Sequence, residues 1–567
     1  MQLYLDSIPV EAECGETLQT LVQRAGLDAK GLAQKPLAAQ IGGAVYTLNH
    51  NPIQNTADGQ RLRRAVQDAE RQIKLLRYGD DLGKRVYERT LQYILLMAMR
   101  QLWPEGRMQV RYSLGPGLYI TVDKEPAFCK GDISILKAKC QSIIDADLPL
   151  IRERLRIEEA INFFEKDGQL DKVRLMKWRK FNYFDCYRQG DYLEYFYGEM
   201  APSTGYASVF GLQFVYPGLV MLMPDVDDPE KPGLYHQSPK FANMFAQSDE
   251  WGRLLQCDSV ADLNEMVETG SVRELVRINE ALHEKSYAGI ADDIVYRGAR
   301  AVMVAGPSSS GKTTSANRLY THLRVLGKAP VLISLDNYYM DRDKIAPDEN
   351  GEIDLESIDT LDVDRFNQDL ERLLNEELVE TPVFDFVTAR RAPKGREILI
   401  GRDEPLIIEG IHGLNQRMIS PSIPQDSVFR VYVSALTTLN LDDHNRIRTT
   451  DIRLLRRLVR DYETRGATVE RTMSMWPSVQ RGEKTWIFPY QEQADALFNT
   501  ALVYELAVLK RHIFPLLQMV TESSPYYTSV RSMIKFLNYF QEADIEDEVP
   551  PTSILREFIG GNTFYRE

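Results

Sequence analysis

Ala301-Val-Met-Val-Ala-Gly-Pro-Ser-Ser-Ser-Gly-Lys-Thr313 is the stretch from which the rest of this chain is read. Five small or apolar residues closed by a glycine predict a buried strand, and Ser315-Ala-Asn-Arg-Leu-Tyr320 beyond them predicts a helix. Between the two, Gly306 to Thr313 fits the spacing GxxxxGK[ST] in the strand-loop-helix setting that the pattern requires. Its glycines let the backbone bend until several N–H groups point at one anion, and the helix N-terminus adds the positive end of its dipole. Gly306, Pro307, Ser308, Ser309, Ser310, Gly311 and Thr314 are therefore expected to line a phosphate site. Lys312 is expected to hold the β/γ-phosphates and Thr313 a Mg2+ ion, which makes ATP with Mg2+ the expected cofactor.

Outward from this loop, Val331-Leu-Ile-Ser-Leu335, Leu406-Ile-Ile-Glu409 and Phe429-Arg-Val-Tyr-Val433 are short apolar runs separated by helical segments. That alternation predicts an α/β domain with a parallel sheet covered on both faces. Asp336 follows the second run, at the carboxyl end of a predicted strand, where open α/β sheets place their ligands. It is the candidate acceptor of a substrate hydroxyl proton and a neighbour of the metal, and Glu409 is the second carboxylate for Mg2+. Arg453, Arg456, Arg457 and Arg460 fall at i, i+3, i+4 and i+7, with Leu454, Leu455, Leu458 and Val459 on the opposite side of the same helix. Four neighbouring arginines repel unless an anion joins them, so the stripe predicts phosphate binding. Arg453 and Arg457 are placed in the chemistry, Arg456 and Arg460 on the nucleotide, and Arg465-Gly466 allows a turn that makes the segment a lid.

From about Ile290 to Phe498 the sequence resembles the uridine kinase family, within the larger group that includes phosphoribulokinase. The marks are the phosphate loop, Asp336-Asn-Tyr-Tyr339, Pro382-Val-Phe-Asp-Phe386, Ile408-Glu-Gly-Ile411 and Arg453-Leu-Leu-Arg-Arg-Leu-Val-Arg-Asp-Tyr-Glu-Thr-Arg-Gly466. The resemblance implies transfer of the ATP γ-phosphoryl group to a nucleoside 5'-hydroxyl, with Asp336 as the base. It also implies Asp354 at the ribose hydroxyls, Arg391 on the substrate side, and Tyr338, Phe384 and Phe386 lining the substrate pocket. Uridine/cytidine kinases carry Tyr and His where this chain has Phe384 and Ala389, so two groups able to hydrogen-bond a pyrimidine edge are absent. A relaxed or different base preference, a purine included, is the expectation. Another small alcohol as acceptor, or a nucleotide-gated RNA-binding protein, are the competing readings.

With 567 residues the chain exceeds one ordinary core, and 44% hydrophobic residues with 26% charged residues read as globular throughout. A net charge of -14 argues against a general nucleic-acid coat, and five cysteines without CxxC spacing argue for a reducing compartment, hence a cytoplasmic location with no membrane span. Five regions are expected: a small α+β module at 1–65, a second α+β unit at 66–225, a linker and helical connector at 226–289, the kinase-like domain at 290–500 and a helical extension at 501–567. The front half resembles the N-terminal part of threonyl-tRNA synthetase, its ubiquitin-like TGS module followed by its editing domain, with Gln101-Leu-Trp-Pro104 and Tyr192-Leu-Glu-Tyr195 as anchors. Where that editing domain carries a His-x-x-x-His pair and a Cys-x-x-x-His pair, this chain has Arg89, Tyr93, Phe196 and Met200, so hydrolysis is not expected; a retained scaffold, or a regulatory module that binds tRNA or another ligand, is the expectation. Helical stretches at 504–517 and 529–540 leave two uses open, packing on the kinase-like core or forming a homo-oligomer interface.

Overall fold

In the computed structural model, which describes residues 1–53, 72–345, 354–385 and 388–564, the run before the phosphate loop is the middle strand of a five-stranded parallel sheet. Its strands are β1 (Ala301–Ala305), β2 (Val331–Ser334), β3 (Leu406–Glu409), β4 (Val428–Ser434) and β5 (Ala496–Asn499), in the order β2-β3-β1-β4-β5. All four pairings are parallel. Val302 and Val304 point to one face, where Ile290, Ile294 and Leu319 cover them; Ala301 and Met303 point to the other, against Phe366, Leu370 and Met418. Burial on both faces is why β1 is apolar at every position rather than at alternate ones. β5 escaped the sequence reading because it is an edge strand with only Leu497 and Phe498 as bulky apolar residues.

Helix α1 (Lys312–Val325) leaves the phosphate loop and packs on the long helix Val272–Arg297. That long helix covers the sheet, so the predicted connector is part of the kinase-like unit. The helix Pro239–Leu255 is likewise no linker. Its Phe245 stacks on Tyr112 of the front half at 3.4 Å, and its Phe241 meets Tyr432 of β4 at 5.8 Å, wedging the two halves together.

The first module is a five-stranded sheet in which Gln72–Leu76 is the middle strand, parallel to Gln2–Leu5 and antiparallel to Ala38–Ile41. The expected boundary after residue 65, itself outside the described residues, would cut that strand away; the unit extends to Leu76. A 22-residue helix, Asp81–Leu102, follows, and antiparallel sheets of four and three strands complete the front half. At the other end of the chain, Glu505–Gln518 buries Leu506, Leu509, Ile513 and Leu517 in one cluster with Leu454, Leu455, Leu458 and Val459 of the arginine helix. The first of the C-terminal helices thus packs on the kinase-like core. Among the described residues no helix is long and apolar enough to cross a membrane.

Candidate active site

The phosphate loop turns on two tight approaches. A Cβ on Gly306 would lie 2.0 Å from the Val433 carbonyl oxygen, and Gly311 adopts φ +85°, the left-handed region that glycine enters without strain. Ser309 is also left-handed, at φ +57°. The Lys312 ammonium donates to the Pro307 carbonyl at 3.1 Å, closing the loop under the space above α1. Burial pushes that ammonium down, and the charges of Glu409, Asp336 and Glu557 oppose the shift.

Asp336 and Glu409 end the neighbouring strands β2 and β3, and one hydroxyl links them. Ser334 donates to Glu409 Oε1 at 2.7 Å and accepts from the Asp336 backbone N–H at 3.3 Å. Burial raises the Asp336 carboxyl, opposed by Lys312, Arg465 and Arg460. Glu409 is pushed up to about 7, by burial first and then by the charge of Asp336. Two carboxyls raised by burial, Glu409 further by the charge of Asp336, are a hard-oxygen pair, which with the Thr313 hydroxyl at the start of α1 fits Mg2+. Among the described residues no group of three or more His, Cys, Asp or Glu converges to hold a metal.

The arginine helix α2 (Thr449–Arg465) departs from expectation in what neutralises it. Arg453, 1% exposed, is paired with Glu483 through Nη2 at 2.7 Å and donates to the Ser308 carbonyl at 3.0 Å. Arg456, wholly buried, is held by Glu505 at 2.8 Å and donates to the Thr500 carbonyl at 3.0 Å, while the Thr500 hydroxyl donates to the Ser310 carbonyl at 2.6 Å. These two side chains brace the loop's carbonyls from behind instead of facing a ligand. Arg457 donates to the Ser308 hydroxyl at 2.9 Å and pairs with Asp461, as does Arg460, and the charges of Arg460 and Arg465 bear on Asp336. The anions that join the four arginines are thus the protein's own carboxylates. Nor is the whole helix free to act as a lid, because its apolar stripe is buried and Arg453 and Arg457 are bonded to the loop; its far end, from Arg460 to the left-handed Gly466, is the less enclosed part.

On the substrate side, Tyr338 is turned into the core, where its hydroxyl donates to Asp369 at 3.1 Å. Tyr339 takes the place expected for it: burial and the charges of Asp336, Glu356 and Glu409 push its hydroxyl well above its ordinary range. Arg391 donates to the Tyr339 and Tyr338 carbonyls, both at 3.0 Å, and to Asp362 at 2.9 Å, which makes it a staple for the Asp336-Asn-Tyr-Tyr turn. Asp354 is exposed and accepts from the Glu356 backbone N–H at 3.1 Å. Phe384 lies 5.8 Å from the Tyr339 ring, Ala389 is left-handed at φ +53°, and Phe386 lies outside the described residues. Two carboxylates were not anticipated. Glu356 is raised to about 7 by burial, against the pull of Arg457, with Glu483 adding to the rise. Glu557, from the C-terminal extension, accepts from the Thr314 hydroxyl at 2.7 Å, and Ile554 packs over Gly311.

In the front half, Tyr93 donates to the Tyr187 and Tyr192 carbonyls at 3.3 Å, its ring is 6.2 Å from Phe196, and Met200 is wholly buried. Three of the four positions that replace the editing residues are therefore packed core, and Arg89 stands beside them, bonded to the Glu199 carbonyl at 2.8 Å.

A parallel sheet in the order 2-3-1-4-5, with a phosphate loop after its central strand and acidic residues at the ends of two neighbouring strands, defines a P-loop kinase-type domain. Residues 301–506 match the Phosphoribulokinase / Uridine kinase family, and the C-terminal half of the chain carries a domain of that family. The N-terminal half is similar to threonine–tRNA ligases. That of Carboxydothermus hydrogenoformans is 32% identical over 182 residues, 32% of this chain and 26% of the relative; that of Desulforamulus reducens is 27% identical over 187 residues, 33% and 27%. The chain spans about a quarter of the length of these curated relatives. Among solved structures, a "Possible Uridine Kinase from Bacillus stearothermophilus" is similar at 19% identity, over 35% of this chain and 89% of that one, with a TM-score of 0.24. The fold assignment rests on strand order and loop, not on that score.

Proposed function

We propose that this chain transfers the γ-phosphoryl group of ATP to the 5'-hydroxyl of a nucleoside. The observation that carries the reading is the convergence on Lys312 of Asp336 and Glu409 from the carboxyl ends of adjacent strands. A loop that only binds phosphate has no use for a buried carboxyl positioned as a proton acceptor. Asp336 accepts the proton of the attacking hydroxyl; Lys312 and Arg457 offset the negative charge on the phosphoryl group being transferred. Thr313, Glu409 and Asp336 are the residues that would hold Mg2+, which when bound neutralises phosphate charge. Arg460 and Arg465 at the open end of α2 favour the ionised form of Asp336.

The Phe384 ring, 5.8 Å from that of Tyr339, offers apolar surface where a hydrogen-bonding tyrosine stands in uridine/cytidine kinases, which supports a relaxed or purine base preference. Steady-state rates with ATP on the common nucleosides test the proposal. Turnover of at least one nucleoside with weak discrimination among bases is expected, whereas a strict uridine or cytidine preference would overturn the base assignment. In the same assay Asp336→Asn should lower kcat by about 10²-fold or more while ATP affinity changes little. Unchanged turnover would remove Asp336 from the mechanism.

A further inference from the structure

The seam between the front-half helix Asp81–Leu102 and the start of α2 holds a charge arrangement that phosphoryl transfer does not use. Arg85 and Arg89 reach it from the first helix, Arg446 and Arg448 from the segment that enters α2, and one carboxylate, Glu88, stands among all four. Arg448 pairs with Glu88 at 2.7 Å, and Arg85 reaches Asp451 at 3.2 Å. Arg446 has only a long ion pair. Its side chain is 11% exposed, its Nε is buried with no hydrogen-bond partner among the described residues, and Glu88 Oε1 is 3.8 Å away. Arg89 uses Nε on the Glu199 carbonyl and lays its guanidinium flat against Gly198. Within ion-pair distance the four guanidinium groups have two carboxylates, Glu88 and Asp451, while Asp81 and Glu199 act on Arg85 and Arg89 from further off; the cluster stands at the amino end of a 17-residue helix with no side-chain bond at its cap, whose dipole adds further positive charge.

We infer that this seam is a second anion site, built for the phosphate group of a small phosphomonoester. Guanidinium forks match phosphate oxygens two at a time, and a dianion supplies the charge that Glu88 alone cannot. The cluster is partly open to solvent, with Arg85 at 32% and Arg448 at 22% exposed, which suits a single terminal phosphate. Burial first, with the charges of Arg85 and Arg446, holds Arg448 down to about 9 against the pull of Glu88 and Asp451, whereas Asp451 holds Arg85 up. One turn further along α2, Arg453 donates to the Ser308 carbonyl of the phosphate loop, so the seam and the loop are fixed to the same helix.

Calorimetric titration of the full chain with inorganic phosphate and, separately, with a nucleoside 5'-monophosphate tests the inference. A Lys312→Ala background weakens the phosphate loop, so that failure of the proposed catalytic site and failure of this one are read apart. Phosphate binding should persist in Lys312→Ala and fall about tenfold or more when Arg446→Gln is added. Glu88→Gln should move affinity the other way, tightening phosphate several-fold, a gain that a purely structural ion pair does not produce and that keeps the test open if the arginine variant does not fold. Tighter binding of the monophosphate than of phosphate identifies the phosphomonoester; equal binding assigns the site to free phosphate and overturns the ligand class. No binding in Lys312→Ala, or a Glu88→Gln variant that binds no more tightly, overturns the site.

Discussion

At the scale of single residues, Asp336 and Glu409 were legible because each ends an apolar run, and a strand's carboxyl end is a place the sequence can mark. Which of two adjacent tyrosines faces the site was not. Tyr338 and Tyr339 have the same chemistry, and the choice is made by Asp369, which takes the Tyr338 hydroxyl into the core. The raised Glu409 carboxyl has a measurable consequence. A group pushed up to about 7 is largely protonated below that pH, and a metal must displace the proton. Mg2+ affinity in the presence of a non-hydrolysable ATP analogue should therefore weaken by about tenfold per pH unit below about 7 and level off above it. Calorimetry on Glu409→Gln alongside provides the check; an identical slope in the variant would assign the proton elsewhere.

At the scale of elements, α2 shows how a correct helix can carry an incomplete assignment. The i, i+3, i+4, i+7 spacing and the apolar stripe opposite are both present, yet most of the arginine face is buried, because Glu483 and Glu505 come in from other elements to meet it and Asp461 meets it from the same helix. Buried pairs of this kind matter most when half of one is removed. Arg456→Leu leaves Glu505 charged, unpaired and enclosed, at a cost of about 3–5 kcal/mol. Removing both as Arg456→Leu/Glu505→Leu should cost clearly less, since no orphaned charge remains. Urea unfolding of the two variants compares them. A single variant as stable as the parent would show that the pair does not hold the loop.

At the scale of the whole molecule, the phosphate site is assembled from parts far apart in the chain. Arg107 and Gln109 of the front half grip Asp443, Asn440 donates to the Val110 carbonyl, and the Lys172 ammonium is enclosed with Glu194 at 2.8 Å and the His444 ring at 2.9 Å. The apolar stripe of α2 is covered by residues beyond 501. Residues 290–500 expressed alone should therefore lack a cooperative thermal transition, whereas the full chain unfolds cooperatively; near-UV circular dichroism against temperature distinguishes them, and a sharp transition in the fragment would mean that its core is self-sufficient. The amino-acid sequence by itself determined four of the five strands, the phosphate loop and the carboxylates at the strand ends, because strand burial, glycine turns and helix starts are set by neighbours a few residues apart. Tertiary structure alone decided what the charges touch. Glu483 lies 30 residues from Arg453, Glu505 lies 49 from Arg456 and Glu557 lies 243 from Thr314, so no local pattern pairs them. Burial in a low-dielectric interior is what forces each charge to find its partner across those distances.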